Sequence, residues 1–221
     1  MIPNKLIPEY VREKVKTFGV WCSGGADSSL LLYLLTKEVI NDNLNINIIP
    51  MTMRRMRPQN PYYAAQAIEF LEEYLDFKYK DHLVFYPSYD TIDPNEAYGD
   101  QHFFRQEQYK LLDEGIIDFY YSAISQSPPL EAQKKFKDVL PDKILKDRDP
   151  NNQDKKIWFD RAAQPLLNAD KKELASIYEK ENLTNNLFPL TRSCESDVYM
   201  NEHCGKCWWC QERLWAFGRL V

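Results

Sequence analysis

The sequence has no apolar run approaching the roughly 18 residues needed to cross a bilayer, so no membrane span is expected. Its opening, MIPNKLIPEY, has no apolar stretch behind a basic start, so no secretory leader is expected either. Basic charge is not in excess: 28 Lys and Arg stand against 33 Asp and Glu, a net charge of -5. That balance argues against a broad electrostatic grip on nucleic acid, and no direct nucleic-acid partner is expected. There is no internal repeat and no low-complexity tract. Cysteine is sparse and unevenly spread: Cys22 stands alone and the other four of the five crowd between 194 and 210. An odd, clustered set does not suit a secreted disulfide framework; it reads as metal binding in a cytoplasmic chain. With 221 residues, a core of useful size forms without disulfide staples.

What is present alternates. TFGVWC (17–22), INIIPMTM (46–53), HLVFYP (82–87) and IIDFYYSAIS (116–125) have the β-branched and aromatic content of buried strands. Between them lie helical patterns. A short polar helix covers 8–16. In the segment Asp27 to Ile40, Leu31, Leu34 and Leu35 share a face, with Leu30 and Val39 beside them. Residues 60–75 carry Pro61 near the start and Glu72 and Glu73 on the outer face. Residues 101–115 stop at Gly115, after a polar loop over 88–100. Strand and helix in alternation predict an α/β fold: a doubly wound, mostly parallel sheet with helices on both faces. From 126 to 160 the chain turns charged and proline-rich, an insertion with one helix near 129–138. A further helix spans about 170–181, where Asp170 and Glu173 have capping-box spacing. A short terminal helix runs through QERLWAFGRL. The expected organisation is a domain over 1–190 and a cysteine-bearing segment over 191–221.

Ser23-Gly24-Gly25-Ala26-Asp27-Ser28 lies between the first strand and its helix. Adjacent glycines allow a sharp turn and close approach of a ligand. The following helix points free N–H groups and its positive end at the loop, a combination that binds phosphate. Ser23, Ser28 and Ser29 offer hydroxyl donors. Asp27 would repel a phosphate unless a Mg2+ ion stood between them. The loop lacks the Gly-Lys-Ser/Thr of a Walker A motif and is not G-x-G-x-x-G. An ordinary tight turn that happens to use glycine is the plain alternative.

Cys194, Cys204, Cys207 and Cys210 read C-x9-C-x2-C-x2-C. Four thiolates suit tetrahedral Zn2+, and a site filled by protein ligands is structural rather than catalytic. An iron–sulfur cluster or an unmetallated redox set remains open. His203 reads as a bystander to Cys204, and Cys22, at the end of a buried strand, as a small core residue.

SGGADS resembles the SGGxDS loop of the N-type ATP pyrophosphatases, the PP-loop family. The resemblance implies a doubly wound Rossmann-like fold, with Ser23, Gly24, Gly25, Ala26, Asp27, Ser28 and Ser29 around ATP and Mg2+. Such enzymes adenylate a carbonyl or carboxylate oxygen, release pyrophosphate, and let a nucleophile displace AMP. The tail TRSCES…HCGKCWWCQER is similar to that of the 7-cyano-7-deazaguanine synthases within that family. Thr191, Ser193, Cys194, Cys204, Gly205, Cys207, Cys210 and Arg213 match its pattern. PLLNADKKELASIYEKENL resembles the family's Pro-Leu stretch before a Lys-x-Glu helix start, with Lys171 as the matching lysine. The resemblance makes Asp27 and Lys171 the catalytic candidates, with Lys171 reaching ATP phosphates or developing charge. An exposed lysine in a helix's first turn is the alternative for Lys171. The implied reaction turns 7-carboxy-7-deazaguanine and ammonia into the nitrile through carboxylate and then amide activation. The implied partners are ATP, ammonia and a deazapurine carboxylate; a homodimer is compatible.

The resemblance covers roughly 17–75 and 160–221. The middle departs from it: AYGDQHFFRQEQ and SAISQSPPLEAQ stand where the family has its glycine-arginine-asparagine and Tyr-Pro-Asp-Cys stretches. Candidates for substrate recognition are Arg57, Arg105, Gln126 and Arg192, with Arg54, Arg55, Gln101 and Ser125 beside them; each taken singly also reads as an ordinary polar residue at the surface. The alternative functions are another PP-loop enzyme, either an amide-forming ligase on a related base or a tRNA-modifying thiolase, and a non-catalytic nucleotide-binding or zinc-stabilised interaction protein.

Overall fold

A computed structural model of the chain describes residues 2–54, 60–87, 99–136, 156–194 and 202–220. Five strands form one sheet: β1 (Thr17–Trp21), β2 (Asn47–Met53), β3 (Leu83–Phe85), β4 (Phe119–Tyr121) and β5 (Ala162–Ala163). Their order is β3-β2-β1-β4-β5, and every adjacent pair is parallel. The helices are α1 (Glu9–Lys14), α2 (Ala26–Asn41), α3 (Asn60–Leu75), α4 (Gly99–Asp113), α5 (Leu130–Phe136), α6 (Lys171–Lys180) and α7 (Trp208–Phe217). Among the described residues no helix is long and apolar enough to cross a membrane.

Side chains alternate between the faces of a strand, and here both faces are buried. Phe18, Val20, Ile48, Phe119 and Tyr121 point into one core. Leu30, Leu31 and Leu35 of α2, Ala64, Ala67 and Leu71 of α3, and Leu174 and Tyr178 of α6 close it. Trp21, Ile49, Met51 and Met53 belong to the opposite face, where Leu111 and Leu112 of α4 and the following Ile117 meet them. The sheet is therefore doubly wound, as the alternating pattern predicts.

Three elements differ from the sequence reading. The strand expected over 116–125 pairs only at Phe119–Tyr121. Gly115, at φ +67°, ends α4, and the amides of Ile116 and Ile117 turn back to the Leu111 carbonyl, so they are not free for the ladder. β5 has two residues, too few for periodicity to reveal, and pairs Ala162 with Tyr120 and Ala163 with Tyr121. The terminal helix begins at Trp208, inside the cysteine cluster, and ends at Gly218 with φ +69°. The capping box before α6 is complete: Asp170 accepts from the amides of Lys172 and Glu173, and the Glu173 carboxylate accepts from the amide of Asp170. Of the polar loop expected over 88–100, residues 88–98 lie outside the described residues, as do 137–155 of the insertion.

Candidate functional site

In a doubly wound sheet, ligands bind beyond the carboxyl ends of the strands, where the winding reverses. Here that point lies between β1 and β4, since the chain leaves β1 toward β2 and returns to its other side as β4. The Ser23–Ser28 loop leaves β1 at this crevice. Gly24 has φ +76°, and an added Cβ would lie 2.7 Å from both the Ala64 amide nitrogen and the Tyr63 Cβ. Only glycine fits both the conformation and the packing. Gly25 caps α2 with no side-chain hydrogen bond to its first turn.

The hydroxyls of the loop are ordered by one another. The Ser23 amide donates to Ser28 Oγ at 3.0 Å, and Ser28 Oγ donates to the Gly25 carbonyl at 3.1 Å. The two serine hydroxyls lie 3.1 Å apart. The Ala26 carbonyl accepts from the buried Tyr178 hydroxyl at 2.7 Å, fixing the start of α2 from below. Ser29 is completely enclosed and does not line the cleft, so its hydroxyl sits behind the loop rather than beside a ligand.

Asp27, in the first turn of α2, is the centre of a charged cluster. Its carboxylate accepts from Ser125 Oγ at 2.8 Å, and Lys171 Nζ lies 3.1 Å from Oδ2 and 3.2 Å from Oδ1. The same ammonium lies 3.2 Å from Oε2 of Glu212 on α7. Lys171 is only 7% exposed, so the exposed-lysine alternative does not hold. Burial works against its charge, but Asp27 and Glu212 outweigh that cost and hold its pKa above the ordinary lysine value. Ser125 reaches Asp27 because the chain leaves the ladder after Tyr121. Glu212 carries no motif signal of its own; only its place two residues beyond Cys210 could have flagged it.

The cluster opens on a cleft of about 1020 Å³. Ser23, Gly25, Ala26, Asp27, Ser28 and Lys171 line it, together with Trp21, Phe104, Tyr109 and Tyr120. Trp21 packs on Phe104 with ring centroids 3.7 Å apart and planes tilted by 31°, and its indole N–H donates to Gln108 Oε1 at 3.2 Å. Such a wall offers apolar ring surface, and the Ser23–Ser28 loop lines the same cleft. Sequence reasoning missed this aromatic wall because its members come from β1, α4 and β4.

Among the recognition candidates, Arg105 is exposed and lines the cleft. Arg192 also lines it; its amide donates to the Gly24 carbonyl at 2.8 Å and its guanidinium lies 5.8 Å from the Tyr63 ring centroid. Gln126 is not among the lining residues; its amide is bonded to the Ala169 carbonyl. Arg54 stacks over Tyr86. Arg57 and Arg55 lie outside the described residues, as does the Gln101 side chain.

The sulfur atoms of Cys194, Cys204, Cys207 and Cys210 lie within 4.8 Å of one another, and those of Cys204 and Cys210 are 3.9 Å apart. A tetrahedral ion with bonds of about 2.3 Å spaces its thiolates by about 3.8 Å, so the donor set fits one metal ion. Amides of Lys206 and Cys207 donate to the Cys204 sulfur, and Gly205 takes φ +68° in the turn between. Arg213 of α7 ties this segment to the domain: it donates to the carbonyls of Phe188, Thr191 and Leu220 and to the hydroxyls of Thr191 and Ser193. Cys22 is fully buried, and burial raises its thiol pKa to about 11, which suits a core residue rather than a nucleophile.

Among solved structures the chain is similar to the U34-tRNA thiolase NcsA from Methanococcus maripaludis with its [4Fe-4S] cluster, at 17% identity and a TM-score of 0.51. That match covers 80% of this chain, which spans 60% of the thiolase's length. It is also similar to NAD+ synthetase from Burkholderia pseudomallei, at 14% identity and a TM-score of 0.45, over 96% of this chain and 79% of the synthetase. Comparison with protein-family models and with curated proteins returns no match. The fold is thus the parallel α/β fold shared with that thiolase structure, with a four-cysteine cluster near the C-terminal end of the described residues.

Proposed function

We propose that the chain is a PP-loop ATP pyrophosphatase that activates a carboxylate, and that its substrate is 7-carboxy-7-deazaguanine. The observation that carries the reading is the Asp27–Lys171 pair, at the switch point of the sheet, on a cleft that also holds the Ser23–Ser28 loop. Loop amides and the start of α2 bind the ATP phosphates, and Asp27 would hold the accompanying Mg2+, which neutralises phosphate charge. Lys171 stabilises charge that develops as pyrophosphate leaves. The aromatic wall of Trp21, Phe104 and Tyr120 gives the deazapurine a flat apolar surface, and Arg105 or Arg192 can meet its carboxylate.

A carboxylate is a poor electrophile because it is charged and has no good leaving group. Attack of its oxygen on the α-phosphorus of ATP forms an acyl adenylate and releases pyrophosphate. Ammonia then forms a C–N bond and expels AMP, giving the amide. A second ATP adenylates the amide oxygen; loss of AMP and of the nitrogen's protons gives the nitrile. The cysteines over 191–221 would hold a structural Zn2+, a role favoured over a cluster by the close sulfur spacing. Metal-bound thiolates fit a reducing compartment such as the cytoplasm.

Incubation with ATP, Mg2+, ammonium and 7-carboxy-7-deazaguanine should yield 7-cyano-7-deazaguanine by mass. Amide alone would restrict the reading to the first half-reaction. Conversion of a tRNA uridine to its thio form, with the deazapurine untouched, would establish the thiolase alternative instead.

A further inference from the structure

Lys171 sits between two carboxylates of different standing. Asp27 lines the cleft, whereas Glu212 does not, and Glu212 is only 5% exposed. Both oxygens of Asp27 are near the ammonium, at 3.1 and 3.2 Å, and one oxygen of Glu212 is at 3.2 Å. Glu212 comes from α7, which begins inside the cysteine cluster, with Cys207 as its N-cap and Cys210 in its first turn. Arg213, the next residue, anchors that helix to Phe188 and Thr191. Lys171 itself opens α6, whose cap is fixed by Asp170. The two helices, which also touch through Lys172–Trp215 and Tyr178–Phe217, therefore meet at this ion pair beside the cleft.

We propose that Glu212 is a positioning residue: it holds the Lys171 ammonium at the edge of the cleft and so couples the four-cysteine segment to the reacting phosphates. The inference rests on the ATP reading above. Once Asp27 is engaged by the cation that accompanies ATP, it can no longer serve as full counter-ion to Lys171. Glu212, behind the lysine and away from the ligand, keeps that role. A buried ammonium with one carboxylate remaining stays in place; with none it is costly and its side chain is free to turn. The cysteine cluster then has a consequence beyond stability, because the carboxylate it orients sets where a cleft residue points.

The test uses the full chain with its metal bound. Glu212→Gln keeps the shape of the side chain and removes its charge. Replacing a charge-assisted hydrogen bond by a neutral one should lower kcat on the order of tenfold. The KM for ATP, and the affinity for a non-hydrolysable ATP analogue by calorimetry, should change much less. Metal content and melting temperature should stay close to those of the wild type. Glu212→Asp should recover most of the lost kcat. In a Lys171→Gln background the Glu212→Gln change should cause no further loss, since the two act as a unit. Unchanged kcat in Glu212→Gln overturns the proposal, as does an equal loss in both backgrounds or a loss that tracks metal content. If the wild type binds the analogue but turns over no deazapurine, the substrate is wrong; the same comparison made on pyrophosphate release then decides the role of Glu212. If it neither binds ATP nor releases pyrophosphate, both the reading and the positioning role fall.

Discussion

Lys171 and Asp27 are 144 residues apart in sequence and 3.1 Å apart in space. One opens α6 and the other lies in the first turn of α2, so the packing of two helices against one sheet face brings them together. Removing Lys171 leaves Asp27 and Glu212 side by side without a cation. Removing the charge of Asp27 leaves Lys171 still paired with Glu212. Lys171→Met should therefore destabilise the protein by about 3 kcal/mol, and Asp27→Asn by clearly less. Both should lower ATP turnover by on the order of a hundredfold or more while leaving a residual rate. Urea denaturation beside a pyrophosphate-release assay checks this, and equal stability losses would show that Glu212 does not share the lysine.

Gly24 and Gly25 are adjacent but not equivalent. Gly24→Ala forces an L side chain into φ +76° and against the Ala64 amide nitrogen and the Tyr63 Cβ of α3, both at 2.7 Å. Gly25 has an extended backbone, and its nearest neighbour to an added Cβ is the Ser23 hydroxyl at 3.3 Å. Gly24→Ala should cost about 1–3 kcal/mol and Gly25→Ala less. The Gly25 variant should still lose ATP affinity, because its methyl group enters the phosphate side of the loop. Thermal melts and ATP titrations of the two variants separate these effects.

Metal analysis of protein purified without added metal should find one zinc per chain. A strong chelator should lower the melting temperature and expose the amides of α7 to hydrogen exchange, while the central strands stay protected. Iron and sulfide in stoichiometric amounts would instead establish a cluster.

Cys22 should resist alkylation at pH 8 in the native protein. With its pKa pushed up to about 11 by burial, about one thiol in a thousand is ionised at that pH. Raising the pH through the range near 11 increases the thiolate fraction, but the enclosed site still blocks the reagent until unfolding. Peptide mapping after iodoacetamide treatment should find Cys22 modified only in denaturant.

The parallel sheet and its helical cover were legible because β1 and β2 carry apolar runs and α2, α3 and α6 carry clear amphipathic faces. The Gly24 turn and the four-cysteine cluster were legible because they are local in sequence. Glu212 was not, since one acid in a charged tail has no periodicity to set it apart. The Trp21–Phe104 ring contact and the Ser125–Asp27 hydrogen bond were hidden for a related reason: each joins residues more than 80 positions apart. β5 was hidden by its length and its two alanines. The expectation that Ser29 faces a ligand failed because helical geometry turns it into the core while Ser28 stays at the loop.

In the proposed reaction a carboxylate oxygen attacks the α-phosphorus of ATP in the cleft beside Asp27. The decisive experiment incubates 7-carboxy-7-deazaguanine, labelled with 18O in its carboxylate, with ATP, Mg2+, ammonium and the protein. The label should appear in AMP and not in pyrophosphate or inorganic phosphate. Label in inorganic phosphate, or AMP formed without label, would contradict it.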